Sequence, residues 1–191
     1  MIEQIIHWDK SLLLFLNGIH SEFWDFIMFQ ISASFTWFAV YAFLIYFLIK
    51  NYKKRTIDII IAVAILIAIS DLTSVHLFKE IFHRLRPTHD PEIMDKVHVV
   101  YNYHGGLYGF VSSHAANFFA LSFFFIQILG KKIKYLTPLL IIWASLISYS
   151  RIYLGVHFPL DVICGAILGI LVGTGMGKLF LWYYTKLHSK I

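Results

Sequence analysis

The sequence predicts an all-α integral membrane protein with about five transmembrane helices and an N-terminal amphipathic helix at the membrane interface. Composition is the first observation behind this prediction. Of the 191 residues, 59% are hydrophobic and only 14% are charged, whereas ordinary globular chains have roughly 45–50% and about 25%. A soluble chain of this size buries only about 70% of the surface that its unfolded form exposes. A soluble enzyme, a disordered protein and a nucleic-acid-binding domain are therefore poor interpretations.

The second observation is the length of the uncharged stretches, because a spanning helix needs about 20 mainly apolar residues. Residues 3–17 mix charged and apolar side chains, so we expect them to lie as an amphipathic helix at the interface. The predicted spans are 26–49 with its core from Ser34 onward, 57–78, 114–129, 135–150 and 157–184.

The third observation is the position of the lysines and arginines, which give a formal net charge of +5. The basic segments are the connections 50–55 and 131–134 and the C-terminal tail with Lys186 and Lys190. With five spans they all fall on one side of the membrane, which the positive-inside rule makes cytoplasmic. The opposite side then receives the N-terminal segment and the connections 79–113 and 151–156. We therefore expect membrane lipids and not nucleic acid as partners.

Three groups of polar residues lie at the ends of spans on that opposite side. The first contains Lys79, Arg86 and Pro87. On a continuous helix Lys79 and Arg86 would stack two turns apart on one face, and Pro87 would end the helix just after Arg86. Arg84 falls outside that face and is expected to tolerate substitution. The simpler alternative is that these cations reach for lipid headgroups.

The second group is Val111-Ser112-Ser113-His114, at the start of the third span. Helix N-terminal amides together with serine hydroxyls can bind an anion. The more ordinary alternative is a helix cap, with Ser112 or Ser113 as the capping residue and His114 as an interfacial histidine.

The third group runs from Ser150-Arg151 through Gly155 to His157 and Asp161. His157 and Asp161 are four residues apart, so one helical face would let the carboxylate hold the imidazole. A histidine–aspartate pair at the edge of a bilayer is costly unless it serves a function.

Together the three groups suggest phosphoryl chemistry. Three cations (Lys79, Arg86 and Arg151) match the three non-bridging oxygens of a phosphoryl group. One histidine can attack phosphorus while the other protonates the leaving oxygen.

The order Lys-x6-Arg-Pro, Ser-x-His and Ser-Arg-x5-His-x3-Asp resembles the type 2 phosphatidic acid phosphatase (PAP2) superfamily of membrane lipid phosphatases. The resemblance covers 79–161 motif by motif, and the span layout extends it to a single domain over 1–191. One departure is Ser113, because the family usually has glycine between its serine and histidine.

The resemblance also implies a role for each motif residue. His157 would be the nucleophile that forms a phosphohistidine, with Asp161 orienting it. His114 would be the general acid for the leaving group and later the base for water. The implied phosphate-binding residues are Lys79, Arg86, Arg151, Ser112 and Ser113. Family members are metal-independent, so no cofactor is expected.

Two other classes of function compete with this hypothesis. The first alternative is a metal site, because four histidines lie in the loops: His83, His89, His98 and His104. Their spacings match no common metal motif, so we expect them to be solvated. A membrane transporter or scaffold is the non-enzymatic alternative, but the chain is short and shows no inverted repeat.

The expected substrate has a lipid tail in the bilayer and a phosphate in the headgroup layer. The candidates are undecaprenyl diphosphate, phosphatidylglycerol phosphate, phosphatidic acid and lipid A phosphates. The compact size favours a bacterial enzyme of the inner membrane, and we rank undecaprenyl diphosphate first. The loop 88–110 is expected to hold the selectivity.

The charge distribution predicts that the motif-bearing loops face away from the cytoplasm. Single cysteines at Asn102 and, separately, at Asn51 in a Cys164→Ser background test this on intact cells with a membrane-impermeant thiol reagent. We expect labelling at position 102 and none at position 51, because 51 lies in a basic connection. Labelling at 51 alone would place the motifs on the cytoplasmic side.

Overall fold

A computed structural model describes residues 1–188 and confirms the all-α membrane fold. Lys190 of the predicted cytoplasmic tail lies outside the described residues. The helices are α1 (Ile2–Asn17), α2 (Glu22–Ser32), α3 (Phe38–Tyr52), α4 (Thr56–Leu72), α5 (Glu80–Phe82), α6 (Ser113–Leu129), α7 (Leu136–Tyr153) and α8 (Pro159–His188). Within residues 1–188 no β-strand forms.

Three apolar segments are long enough to cross a membrane: Ser34–Phe82, Leu136–Tyr153 and Pro159–Lys186. The first has 49 residues and divides at Lys53, where φ is 48° and α3 ends. It therefore supplies two spans. Ser113–Leu129 is a shorter apolar helix, and the five predicted spans correspond to α3, α4, α6, α7 and α8.

The predicted boundary of the first span is wrong, because residues 26–32 belong to α2 and not to the span. Ser21 caps the start of α2 by accepting a hydrogen bond from Trp24 N at 3.4 Å. Acidic residues in the first turn stabilise the helix by interacting with the positive end of its dipole. Ala33 is extended, and Trp37 Nε1 donates to Ile31 O at 2.8 Å across the bend. The span thus begins near Ser34.

The helical face predicted for Lys79 and Arg86 is also wrong. The chain continues from α4 as a π-helix over Thr73–Lys79, and α5 ends at Phe82, just before His83, whose φ is 45°. Arg86 N then donates to Leu107 O at 3.0 Å, so Arg86 lies on an extended segment. Pro87 begins a 3-10 turn and does not end a helix. Backbone hydrogen bonds between 84–86 and 107–109 take the place of the helical hydrogen bonds that the helical spacing of Lys79 and Arg86 predicts.

Helices α6 and α8 pack with their backbones in close contact. Three glycines of α8, four residues apart, face α6: a Cβ on Gly165 would lie 2.6 Å from Ser112 O, and those on Gly169 and Gly173 would meet the carbonyl oxygens of Ala116 and Ala120. Small residues at this spacing let membrane helices approach closely. The contact brings the first turn of α6 beside the first turn of α8.

Helix α1 turns its polar residues inward. Asp9, Leu13 and Asn17 share one buried face, while Trp8 and Phe15 are exposed on the other. Leu13 packs in a cluster with residues that precede and begin α8. The interfacial helix is therefore also a support for the start of α8.

We predict that Gly169→Val destabilises the protein far more than Gly175→Val. Both changes place a β-branched residue in the same helix. A Cβ at Gly169 would meet the α6 backbone, whereas a Cβ at Gly175 would have no atom within 4 Å. Overpacking typically costs about 1–3 kcal/mol, so the thermal midpoint in detergent should fall by several degrees for Gly169→Val only. Gly169→Ala, expected to show a smaller loss, covers the case in which the valine variant does not fold. Equal midpoints for the two valine variants would contradict this account of the contact.

Candidate active site

The candidate site lies where the first turns of α6 and α8 meet the end of α7 and the connection 83–112. Ser112 N donates to Asp161 O at 3.0 Å, which joins the start of α6 to the start of α8. All three predicted groups meet here. His114, on α6, interacts electrostatically with residues from the other two groups: Arg151, His157, Arg86 and Lys79.

His157 and Asp161 are neighbours, but they do not share a helical face as predicted. His157 precedes α8, whereas Asp161 lies in its first turn, where Oδ2 accepts from Phe158 N at 2.9 Å. A carboxylate that bonds back to the helix N-terminus is half of a capping box. The same oxygen is 3.5 Å from His157 Nδ1, and His157 is only 1% exposed. Because Nδ1 faces Asp161, Nε2 is the nitrogen left for a reacting group.

Both arginines among the three cations are held by contacts to their surroundings. Arg86 Nε donates to Tyr108 O at 3.1 Å, and Arg86 Nη1 donates to Val156 O at 3.3 Å. Arg151 Nη2 donates to the Tyr103 hydroxyl at 3.1 Å, and its Nη1 donates to Ser32 Oγ. Such contacts fix the directions of the remaining N–H groups, as required for binding a planar or tetrahedral anion.

Arg86 retains its charge although it is 9% exposed. Burial, together with the nearby positive charge of Arg151, lowers the pKa of the Arg86 guanidinium to about 10. At neutral pH it is still protonated, so the cationic character of the site persists without a ligand.

The two serines of the second group have different environments. Ser112 is the N-cap of α6 and accepts from Ala115 N at 3.5 Å, as the capping alternative proposed. Ser113 Oγ accepts from Lys79 Nζ at 2.6 Å and lies 2.7 Å from Ser74 Oγ. Ser113, at the position where the resemblance predicts glycine, thus contacts one of the three cations. Ser74 is a buried residue of the π-helix, and no motif in the sequence indicates that it lies at the site.

Part of the predicted selectivity loop forms a wall of the site. A Cβ on Gly109 would lie 3.0 Å from Asp161 Oδ2 and 3.6 Å from His157 Nδ1. Gly105 has a φ of 70°, and a Cβ on it would lie 2.7 Å from Arg86 Nη1. Backbone therefore approaches the charged groups where a side chain would not fit. The glycines of this loop are the one feature of its sequence that could have indicated a close approach of backbone to the site.

Arg84 is the largest correction to the sequence-based interpretation, which placed it away from the site. Its Nη1 donates to Asp161 Oδ1 at 2.7 Å, and its Nη2 donates to Asp9 Oδ2 at 2.6 Å. Asp9 Oδ1 also accepts from Leu160 N at 2.9 Å. Burial raises the pKa of Asp9, and the hydrogen bond from Arg84 opposes that shift. Arg84 therefore links α1 to the carboxylate behind His157.

We predict that Arg84→Gln lowers kcat by at least about tenfold and leaves KM within a few-fold of wild type. Losing the guanidinium leaves two buried carboxylates unpaired and releases Asp161, and a misplacement of about 1 Å can cost about a hundredfold in rate. Lys96→Gln, at an exposed loop cation, is the matched control and should be neutral. Steady-state phosphate release measures both constants. A kcat for Arg84→Gln equal to that of the control would show that Arg84 does not position Asp161.

Two curated relatives resemble the chain over nearly its whole length. It is 39% identical to a lipid A 4'-phosphatase of Bacteroides thetaiotaomicron, over 100% of this chain and 83% of that protein. It is 38% identical to the lipid A 4'-phosphatase of Porphyromonas gingivalis, over 95% and 76%. An undecaprenyl-diphosphatase of Sulfolobus acidocaldarius is 33% identical over 71% of this chain and 59% of that protein.

Two solved structures share the fold. LpxE of Aquifex aeolicus superposes with a TM-score of 0.62 and 24% identity, covering 88% of this chain and 93% of that one. A transmembrane PAP2 type phosphatidylglycerolphosphate phosphatase from Bacillus subtilis superposes with a TM-score of 0.68 and 21% identity, covering 92% and 86%. The PAP2 superfamily pattern matches residues 60–187. The chain therefore belongs to the PAP2 superfamily and is a membrane enzyme that acts on lipid phosphates.

Proposed function

We propose that the chain hydrolyses its lipid phosphate without a metal, through a phosphohistidine on His157. The observation that supports this most is that the buried imidazole has Asp161 beside its Nδ1 and interacts with three cations, one each from the π-helix, the extended segment 84–86 and α7. Nε2 would attack phosphorus as the bond to the lipid oxygen breaks, and His114 would protonate that oxygen. Water, deprotonated by His114, would then attack the phosphohistidine, which releases inorganic phosphate and restores His157.

The three cations and the serines would stabilise the charge of the transferred group. Lys79, Arg86 and Arg151 supply fixed positive charge in a region from which water is largely excluded, where electrostatic stabilisation is strongest. Ser112 caps α6 and so would place the N-terminus of that helix beside the phosphate. Ser113 now accepts a hydrogen bond from Lys79, and the ammonium group would bind the phosphate instead when it arrives. In this scheme the protein cations do what a metal ion does in metal-dependent phosphatases.

For the substrate we propose lipid A, dephosphorylated at its 4'-phosphate. Two relatives of that name are 39% and 38% identical over nearly the whole chain. This proposal replaces the sequence-based ranking, which put undecaprenyl diphosphate first. Undecaprenyl diphosphate becomes the second candidate, supported by a relative that is 33% identical over 71% of the chain.

An apolar groove beside the site suits the acyl chain of such a lipid. It has a volume of about 460 Å³ and lies between α3, α4 and α6. Along α6 its lining runs from Asn117, one turn after His114, through Leu121 to Phe125, a distance of about 12 Å at helical rise. A tail in this groove would leave its headgroup at the level of His114.

We also propose that the site faces the periplasm or cell exterior of an inner-membrane enzyme, with a cytoplasmic C-terminus. The support is the basic content of the connections 50–55 and 131–134, which lie at the other ends of the spans from the site. A lipid phosphate reaching the outer leaflet would then meet the enzyme.

The test is phosphate release by the detergent-purified chain in EDTA from lipid A, undecaprenyl diphosphate, phosphatidylglycerol phosphate and phosphatidic acid. We expect lipid A to be turned over at least about tenfold faster than the others, with mass spectrometry locating the loss at the 4' position. His157→Ala should lose several powers of ten in kcat, because no other group supplies the covalent route. His7→Ala, at an exposed residue of α1, is the control.

A trapping measurement separates the mechanism from the substrate. Rapid quenching with phosphorus-labelled lipid should leave an acid-labile, base-stable label on the wild-type protein and none on His157→Ala. Faster turnover of undecaprenyl diphosphate would overturn the substrate proposal alone. Full activity of His157→Ala, or loss of all activity in EDTA from a protein that stays folded, would overturn the mechanism.

A further inference from the structure

A second cluster of polar side chains lies outside the candidate active site. His98 Nε2 is 3.0 and 2.9 Å from the two oxygens of Asp25, and the ring of His20 stacks on His98 with centroids 3.6 Å apart. One ligand atom from each of these three residues lies within 4.8 Å of the other two. Among the side chains of residues 1–186 this is the one such group of three.

The cluster is held in place from two sides. Buried Asn17, at the end of α1, accepts from His98 N at 2.7 Å and donates to His98 O at 3.0 Å, which fixes the backbone of His98. Asp25 Oδ1 accepts from the Tyr153 hydroxyl at 2.7 Å, which fixes the carboxylate. Only His20, on the exposed loop between α1 and α2, has no such tether apart from the stack. Two of the three side chains are therefore preorganised, and Asp25 has the hydrogen-bonded outer partner that is typical of metal ligands.

We propose that His20, Asp25 and His98 form a binding site for a divalent transition metal of the zinc type. Two imidazoles and one carboxylate are a common protein set for Zn²⁺, with water as the fourth ligand. Bonds of about 2.0–2.2 Å at a tetrahedral angle separate ligand atoms by about 3.4 Å, so His98 and Asp25 need to part by only about half an ångström. His20 must also turn out of its stack on His98, because two parallel rings cannot both point a nitrogen at one ion. The metal would take the place of the hydrogen that now lies between His98 Nε2 and Asp25, and the proton of the neutral imidazole would then sit on Nδ1.

The site has a structural consequence rather than a role in phosphoryl chemistry. The metal would join the α1–α2 loop, α2 and the connection that carries His98. Tyr103, five residues further along that connection, bonds Arg151, and Ser32 at the other end of α2 bonds the same arginine. A bound metal would thus stiffen two of the segments that hold Arg151. This proposal does not depend on which lipid phosphate the enzyme hydrolyses.

The test measures Zn²⁺ binding by the full-length protein without a polyhistidine tag, in detergent, after treatment with EDTA and dialysis. We expect one Zn²⁺ per chain by elemental analysis and a thermal midpoint raised by a few degrees, since a ligand that binds only the folded state stabilises it. His98→Ala and His20→Ala should weaken binding by more than about tenfold. His104→Ala, at an exposed histidine of the same connection that contacts Asn102, should bind as wild type.

A spectroscopic measurement identifies the ligands. Co²⁺ added in place of Zn²⁺ should give the intense visible absorption of a four-coordinate site in the wild type and in His104→Ala, and not in His20→Ala. His20→Ala is the decisive variant, because His20 is exposed and its loss should leave the fold intact. Absence of stoichiometric Zn²⁺ binding by the wild type would overturn the proposal, and so would equal loss of binding in His104→Ala.

Discussion

The close packing of α6 on α8 is the constraint on which the site depends. The two histidines expected to carry the chemistry come from different helices, and each lies at or just before the first turn of its own helix. They meet only because the glycines of α8 let the α6 backbone approach, and because Ser112 N bonds Asp161 O at 3.0 Å. In a bilayer no hydrophobic effect drives helices together, so helix association depends on close packing. The close approach of the two backbones both holds α6 against α8 and fixes which residues of the two helices face each other. The register of that contact therefore sets the position of His114 relative to His157.

Buried charge is the second constraint, and the N-terminal segment helps to satisfy it. Positive groups outnumber the carboxylates around the site, and they repel one another when no anion is bound. A phosphoryl group relieves that repulsion, which favours its binding over that of a neutral headgroup. Arg84 is different, because its charge is already matched by Asp9 and Asp161. It stabilises the two carboxylates and leaves the other cations for the substrate.

Much of the site and the fold could be predicted because the chemistry restricts residue types and the membrane restricts helix lengths. His114, His157 and the three cations were identified from residue type and spacing alone, and the structure brings them together. Arg84 was placed wrongly because helical periodicity says nothing about the pairing of 84–86 with 107–109, which ends the helix before Arg84. Its partner Asp9 is 75 residues away, beyond any local pattern. The order of the candidate substrates could not be predicted for a related reason: the motif residues are those expected to bind phosphate, and relatives named for different lipids resemble this chain.

The first 59 residues have a larger part in the site than their position in the chain suggests. The family pattern begins at residue 60, yet Asp9 holds Arg84 and Ser32 holds Arg151 from outside it. The apolar face of α1 is exposed and suits the membrane interface, so the depth at which α1 lies fixes the depth of Asp9. Asp9 also bonds Leu160 N at the start of α8. The interfacial helix thus sets the height of the site relative to the headgroup layer, where the phosphate of a lipid substrate must lie.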